Sequence, residues 1–417
     1  MKTLPGFRDF FPEDFARSRY LFEAWRRVAR RYGFVEYSAP TMESAELYER
    51  KNSGGEILQQ LYQFADGGER RVALRPEMTP TLARMVAARG THYRKPLKWF
   101  SIATFFRYER QQRGRLREFY QFNADLLGDA TAAADAELIA LSIDLLRELG
   151  FGPEDVVVRV SDRRAWLQFL TERGVEAPDA VETVLGVVDK LEREAPENAE
   201  ERLRPLGLSL DDLRGFIAGG GREALRPLLS ELEARGLQDY VEVDLGIVRG
   251  LAYYTGVVFE IFDRSRAMRA VAGGGRYDHL IQHLSEGASD LPAAGFGMGD
   301  VVLGNLIESS PAAAEKMRAA LAADPACAIY VVQADPDRRS EALGIVQQLR
   351  EAGWAVDFSL AQTKVGKQFQ AAEVAGAAFA VVVGAEWPEV KVKRLATREE
   401  FALPHEALAE WLKNEQV

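Results

Sequence analysis

GIVRGLAYYTGVVFE, residues 246–260, runs from a polar mouth into a strand: Arg249 leads through glycine into Tyr253 and Tyr254, and Val257, Val258 and Phe259 follow as a β-branched and aromatic run. The guanidinium of Arg249 is a fork of donors suited to a carboxylate or phosphate, and the two tyrosines offer ring faces and hydroxyls to a small planar ligand. An arginine beside two tyrosines is more often structural. The glycines at 246, 250 and 256 favour a site, because they mark places where another group needs close backbone approach.

Strand signals lie on both sides of this stretch. Upstream, Tyr240 to Val243 reads as a strand; downstream, FEIFDRSRAMRAVAGGGRYDHLI continues the sheet, and PAAGFGMGDVVLGNLI reads as a strand, a glycine-rich bend and a helix. The glycines of that last segment are spaced G-x-G-x-G and do not open a βαβ series, which argues against a dinucleotide fingerprint. Residues 161–236, rich in Glu, Leu and Arg without β-branched runs, read as an inserted helical module. VVVRV at 156–160 precedes it as a strand, and residues 131–149 as an amphipathic helix.

Further upstream, LKWFSIATFFRYERQQRGRLREFYQFNADLL (97–127) reads as a long aromatic hairpin around a polar loop that carries Arg107, Arg110, Arg113, Arg115 and Arg117 against one Glu109. A solvated loop would account for this, and so would contact with phosphate or nucleic acid. Residues 12–32 are an amphipathic helix ended by Gly33, FVEYSAPTME a strand stopping at Pro40, Ala45 to Lys51 a second helix, and LYQFADGGERRVALRPEM a hairpin turned at Asp66-Gly67-Gly68 that delivers Arg75, Pro76 and Glu77. Beyond an alanine-rich linker at 311–325, AIYVVQ, WAVDFSL, FAVVVG and VKVKRL alternate with helices as a compact α/β domain, residues 326–417.

A chain of 417 residues exceeds one ordinary core and predicts two or three domains. Its 47% hydrophobic and 28% charged residues are those of a soluble globular protein, and no apolar run approaches the roughly 20 residues of a membrane span. MKTLPGFRDFFPEDF has no basic start followed by an apolar core, so a cytoplasmic location is expected. The single Cys327 excludes an internal disulfide, and the four histidines, His92, His279, His283 and His405, show no zinc-ligand spacing, so no metal site is expected. A net charge of −10 argues against indiscriminate nucleic-acid binding while allowing a local basic patch.

Taken together, the chain resembles histidyl-tRNA synthetase, a class II aminoacyl-tRNA synthetase. LPGFRDFFP opens the likeness, FRYERQQRGRLREFYQFNAD looks like motif 2, RGLAYYTGVVFE like the family's histidine-binding signature, and GGGRYD like its usual companion. The resemblance implies an α+β catalytic domain, an antiparallel sheet flanked by helices, over 1–160 and 237–310. It also implies a helical insertion over the tRNA acceptor arm and a C-terminal α/β anticodon-binding domain. The implied activity joins histidine to ATP and passes it to tRNA(His), with Mg2+ accompanying ATP, in a homodimer built on a motif-1-like strand at Pro40.

By motif match, Arg107 and Arg249 would touch carboxylate and α-phosphate. Glu77, Thr79 and Gln121 would take the α-amino group, Asp125 and Tyr254 would hydrogen-bond the imidazole, and Met78 and Tyr253 complete the histidine site. Glu109 and Phe119 would hold adenine, and Gln112, Arg115 and Arg117 approach the tRNA end. Two departures stand out: Ala252 replaces the signature's usual aspartate, and Asp300-Val301-Val302 stands where motif 3 ends in Glu-Arg. Arg264, Arg266, Arg269 and Arg276 are candidate substitutes for the lost arginine, and Arg269 is the preferred one. The competing reading is a histidine-sensing regulatory subunit of ATP phosphoribosyltransferase, which generally lacks the anticodon domain.

Overall fold

The computed structural model describes residues 2–49, 56–109, 114–191, 194–219, 221–248, 253–287 and 289–415, in two compact units, 1–317 and 318–417. Arg249, Ala252 and Gln112 lie outside the described residues. The first unit opens with α1 (Pro12–Arg31), which has proline in its first turn, acids at Glu13 and Asp14, and Arg30 and Arg31 in its last turn, complementing the helix dipole. Its buried stripe of Tyr20, Leu21, Ala24, Trp25 and Val28 faces the sheet. Short elements follow: β1 (Val35–Glu36), β2 (Met42–Ser44), α2 (Ala45–Glu49), α3 (Glu56–Gln59), β3 (Tyr62–Ala65), β4 (Arg71–Leu74) and α4 (Thr79–Arg89). The stretch expected as one strand stopping at Pro40 is thus two, and β2, β4 and β3 form a small antiparallel sheet. Asp66 accepts from the backbone N–H of Gly68 and Arg70 and closes the β3–β4 turn.

The large sheet is built on β5 (Leu97–Phe106) and β6 (Glu118–Leu127), paired from Leu97 opposite Leu127 to Phe106 opposite Glu118. α5 (Ala132–Glu148) and β7 (Val156–Asp162) come next, then α6 (Arg163–Thr171), α7 (Pro178–Val188), α8 (Pro196–Leu203), α9 (Leu210–Gly219) and α10 (Arg222–Glu233). The chain returns through β8 (Val241–Val243), β9 (Val257–Asp263), β10 (Ala272–Arg276), α11 (Leu280–Leu284), β11 (Ala293–Gly299) and α12 (Asp300–Ser309). The eight strands run in the order β1-β5-β6-β11-β10-β9-β7-β8, antiparallel except for the parallel outer pairs β1–β5 and β7–β8.

Within 161–236 the packing divides. Trp166, Val184, Leu203 and Leu213 of α6 to α9 close their own core with Leu245 and Val248. Leu225, Leu228 and Leu232 are buried on α10, which packs on α5 and β7. The alanine-rich stretch expected as a linker forms a helix, α13 (Pro311–Ala322), that buries Ala313 and Met317.

The second unit comprises β12 (Ile329–Gln333), α14 (Arg339–Glu351), β13 (Val356–Phe358), α15 (Val365–Val374), β14 (Phe379–Val383), β15 (Glu389–Arg394), β16 (Glu400–Pro404) and α16 (Leu408–Asn414). Its five-stranded sheet, β13-β12-β14-β15-β16, has a parallel half and an antiparallel half, and its core is rich in valine and leucine.

Candidate active site

One face of the large sheet is floored with glycine, and the reason is steric. Side chains at 119, 121, 123 and 125 share a face of β6, and β11 sets Gly295 opposite Asp125 and Gly297 opposite Asn123. A Cβ on Gly295 would stand 2.1 Å from Asp125 Oδ1, and one on Gly297 1.6 Å from Gln121 Nε2. On β10, a Cβ on Gly275 would stand 2.6 Å from the Val257 carbonyl and 2.9 Å from the Tyr254 ring. The G-x-G-x-G run expected as a bend is therefore a regular strand whose missing side chains make room for Gln121 and Asp125.

Asp125 is 3% exposed, and its Oδ1 accepts a hydrogen bond from the Tyr277 hydroxyl. Burial pushes its carboxyl up to about 7, and the Tyr277 bond pulls the other way. Tyr277 itself is held well above the usual phenol range by burial and by the neighbouring Asp125. The ring of Tyr253 lies 4.8 Å from Tyr254 and 5.9 Å, edge-on, from Tyr277. Tyr254 and Tyr277 pack with Leu82, Ala83 and Val86 of α4. The segment that starts α4, Glu77-Met78-Thr79, has Glu77 and Met78 buried, and Met78 packs on Ala103 and Phe105 of β5.

Arg107 follows β5 directly. Its Nε donates to the Pro76 carbonyl at 3.0 Å, its guanidinium lies 5.3 Å from the centre of the Phe119 ring, and Nη1 is 3.9 Å from Glu109. Glu109 is buried and pairs with Arg115 Nη1 at 2.6 Å. Arg117 turns to structure: its Nε donates to the Glu109 carbonyl and its guanidinium covers the Tyr108 ring at 4.3 Å. Asp125, bonded by the Tyr277 hydroxyl, thus stands toward one end of the hairpin, and Arg107, Glu109 and Phe119 stand at its loop end.

Among the candidate substitutes for the lost motif-3 cation, Arg276 and Arg264 are held in structural networks. Arg276 is 3% exposed and bonds Asp135, Asp278 and the carbonyls of Asp129 and Thr131. Arg264 bonds Glu242 and the carbonyls of Pro153 and Asp239. Arg269 borders the hairpin loop: a Cβ on Gly114 would lie 3.9 Å from Arg269 Cδ and 3.4 Å from Val302 Cγ2. Two residues that the sequence gives no role are placed beside the candidate site. Tyr277, the phenol of GGGRYD, bonds Asp125. Buried Arg75 binds the carbonyls of Thr104, Ala39 and Pro40, and so fixes the backbone that hands Pro76 to Arg107.

A family model described as Histidyl-tRNA synthetase matches residues 6–299, and one described as Anticodon binding domain matches residues 326–415. The histidine–tRNA ligase of Opitutus terrae is 43% identical, the alignment taking in 97% of this chain and 96% of that protein. The chloroplastic/mitochondrial histidine–tRNA ligase of Arabidopsis thaliana is 38% identical over 95% of this chain and 83% of its own length. Among solved structures, histidyl-tRNA synthetase from Nostoc matches with a TM-score of 0.76 at 24% identity, covering 99% of each chain. An ATP phosphoribosyltransferase regulatory subunit/histidyl-tRNA synthetase from Bacillus halodurans matches with 0.71 at 24%, covering 89% of this chain and 96% of its own. At those identities the two structures speak for the fold alone. With one family model spanning the sheet and the insertion, and relatives 43% and 38% identical over 97% and 95% of this chain, the chain belongs to the histidyl-tRNA synthetase family.

Proposed function

We infer that this chain is a histidine–tRNA ligase: the histidine carboxylate attacks the α-phosphate of ATP and releases pyrophosphate, and a ribose hydroxyl of tRNA(His) then attacks the adenylate carbonyl and releases AMP. The observation that carries the reading is the buried Asp125–Tyr277 pair. With Oδ1 engaged by a phenol, Oδ2 is the acceptor turned to an imidazole N–H, and Tyr254 supplies a hydroxyl to the other side of the ring. Glu77, Thr79 and Gln121 receive the α-ammonium, with Met78 and Tyr253 as walls. Arg107 and Arg249 offset the repulsion of two approaching anions and hold charge developing at phosphorus, which is electrostatic stabilisation. Glu109 and Phe119 take the adenine. Gln112, Arg115 and Arg117 reach toward the tRNA end, Arg117 also bracing the loop. Mg2+ accompanying ATP would supply further charge neutralisation at its phosphates, beside Arg107 and Arg249. Histidine-dependent exchange of pyrophosphate into ATP, followed by charging of tRNA(His), tests the whole; a chain that binds histidine and makes no adenylate would be the regulatory subunit. The anticodon-domain match at 326–415 favours the ligase.

Arg269 is the group we assign to the ATP phosphates in place of the absent motif-3 arginine. Arg269→Ala is expected to raise KM for ATP about tenfold and KM for histidine less than twofold, the pattern of lost ground-state phosphate binding. Arg264→Ala, whose partners are structural, serves as the control, and equal effects of the two would remove Arg269 from the site.

The chain acts in the cytoplasm as a homodimer on this reading. Val35 on β1, Met42 on β2 and Phe64 on β3 leave apolar side chains 63%, 45% and 50% exposed on either side of Pro40 in sequence. Light scattering at micromolar concentration should give twice the 46.5 kDa chain mass, and a fully active monomer would contradict it.

A further inference from the structure

Residues 4–10, LPGFRDF, meet the loop end of the β5–β6 hairpin from the side opposite Gln121 and Asp125. The Leu4 carbonyl accepts from Phe7 N–H, closing a turn in which Gly6 takes φ +88°. The Gly6 carbonyl accepts from the N–H groups of both Arg117 (3.0 Å) and Glu118 (3.1 Å), where β6 begins. A Cβ on Gly6 would stand 2.7 Å from Arg117 Cγ, so the arginine stem lies flat on the glycine. Phe7 packs on Tyr62 and Phe106, and Phe10 on Tyr120. Between them, Arg8 Nη2 donates to Asp300 Oδ2 at 2.7 Å. Asp300 is 5% exposed, and its Oδ1 accepts from the Tyr120 N–H at 2.9 Å, between Phe119 and Gln121.

These contacts join three segments distant in sequence. Asp300 opens α12 in the stretch that departs from motif 3, and without Arg8 it would be a buried carboxylate lacking its cation. Side chains 118 and 120 lie on the strap's face of β6 and Phe119 on the ligand face, so whatever fixes the former sets the height of the latter.

We propose that residues 4–10 are a positioning strap for the nucleotide, the Arg8–Asp300 pair and the Gly6–Arg117 contact holding the hairpin so that Arg107, Glu109 and Phe119 meet ATP. The proposal rests on the ATP roles given above for those three residues. In the full chain, Arg8→Ala is expected to raise KM for ATP about tenfold in pyrophosphate exchange, with KM for histidine changed less than twofold, since small misplacements of binding groups are costly. Arg8→Lys should recover part of the loss by restoring a cation to Asp300. Gly6→Ala, strained by its φ and by Arg117, should reproduce the pattern with Arg8 intact and guards against a misfolded first variant. Variants that melt within a few degrees of the wild type and leave both KM values unchanged, or raise them alike, would overturn the strap. If the wild type made no adenylate the ligase reading would fall, and ATP affinity measured by calorimetry on the same variants would still decide the strap.

Discussion

Replacing Arg107 with alanine is expected to lower histidine-dependent pyrophosphate exchange by about 10²-fold to 10³-fold while the fold survives. The side chain is 27% exposed, and its Nε donates to a neutral carbonyl, that of Pro76. A neutral bond of this kind contributes roughly 1 kcal/mol to stability. In the proposed role its value lies in aim: the Pro76 carbonyl fixes Nε and the Phe119 ring lies 5.3 Å from the guanidinium, so the fork is held in place before carboxylate and α-phosphate approach. Arg107→Lys keeps the charge and loses the fork, so it should recover only part of the rate. Arg249, outside the described residues, is proposed for the matching role on the signature stretch, and Arg249→Ala should cost a similar factor. A loss below tenfold for Arg107→Ala, measured by exchange at saturating histidine and ATP, would remove it from the transition state.

What made this hairpin readable is local. Aromatic residues crowd both strands, Phe100, Phe105 and Phe122 among them, and the arginines crowd one loop, so composition places both strands. The second unit was readable likewise, although its edge strand β16, with Pro404 at its end, went unanticipated because EFALP is short and alternates weakly. Before α12 the sequence shows a strand that breaks into a glycine-rich bend, because glycine weakens strands on average, and only the neighbouring strand shows why the glycine run stays in β11. A Cβ at 295 or 297 collides with side chains from β6, a fact of register and not of the segment's own composition. Tyr277 and Asp125 are 152 residues apart, and three adjacent strands, β6, β11 and β10, bring them together. Burial of Asp125 is equally tertiary. Motif resemblance supplied its role, while its raised pKa came from packing.

Asp125→Asn should separate function from stability in opposite directions. In the folded chain the Asp125 carboxyl titrates near 7, against 3.8 for the ordinary group, because burial penalises its charged form. Below about pH 4 the group is protonated whether the chain is folded or not and adds nothing to the balance. As pH rises toward 7 the unfolded chain gives up the proton that the folded chain keeps, so stability falls, and above 7 the full cost of the buried charge remains, on the order of 4 kcal/mol. Asparagine does not titrate and still offers an oxygen to the Tyr277 hydroxyl. The variant should therefore unfold at higher denaturant than the wild type at pH 8, with the gap closing as pH falls toward 4. Histidine recognition should move the other way. The amide accepts less strongly than a carboxylate and risks presenting its NH2 to the imidazole N–H, and a lost bond to a charged acceptor costs about 1.5 to 3 kcal/mol, or roughly 10-fold to 10²-fold in KM for histidine. KM for ATP should hardly change, because Glu109, Phe119 and Arg107 lie at the far end of the hairpin. Denaturant melts at pH 4 and pH 8, paired with KM values for both substrates, check the two halves separately. Equal weakening of histidine and ATP would mean that Asp125 organises the sheet instead of reading the imidazole, and a variant no more stable than the wild type at pH 8 would mean that the carboxylate's charge is compensated within the pocket.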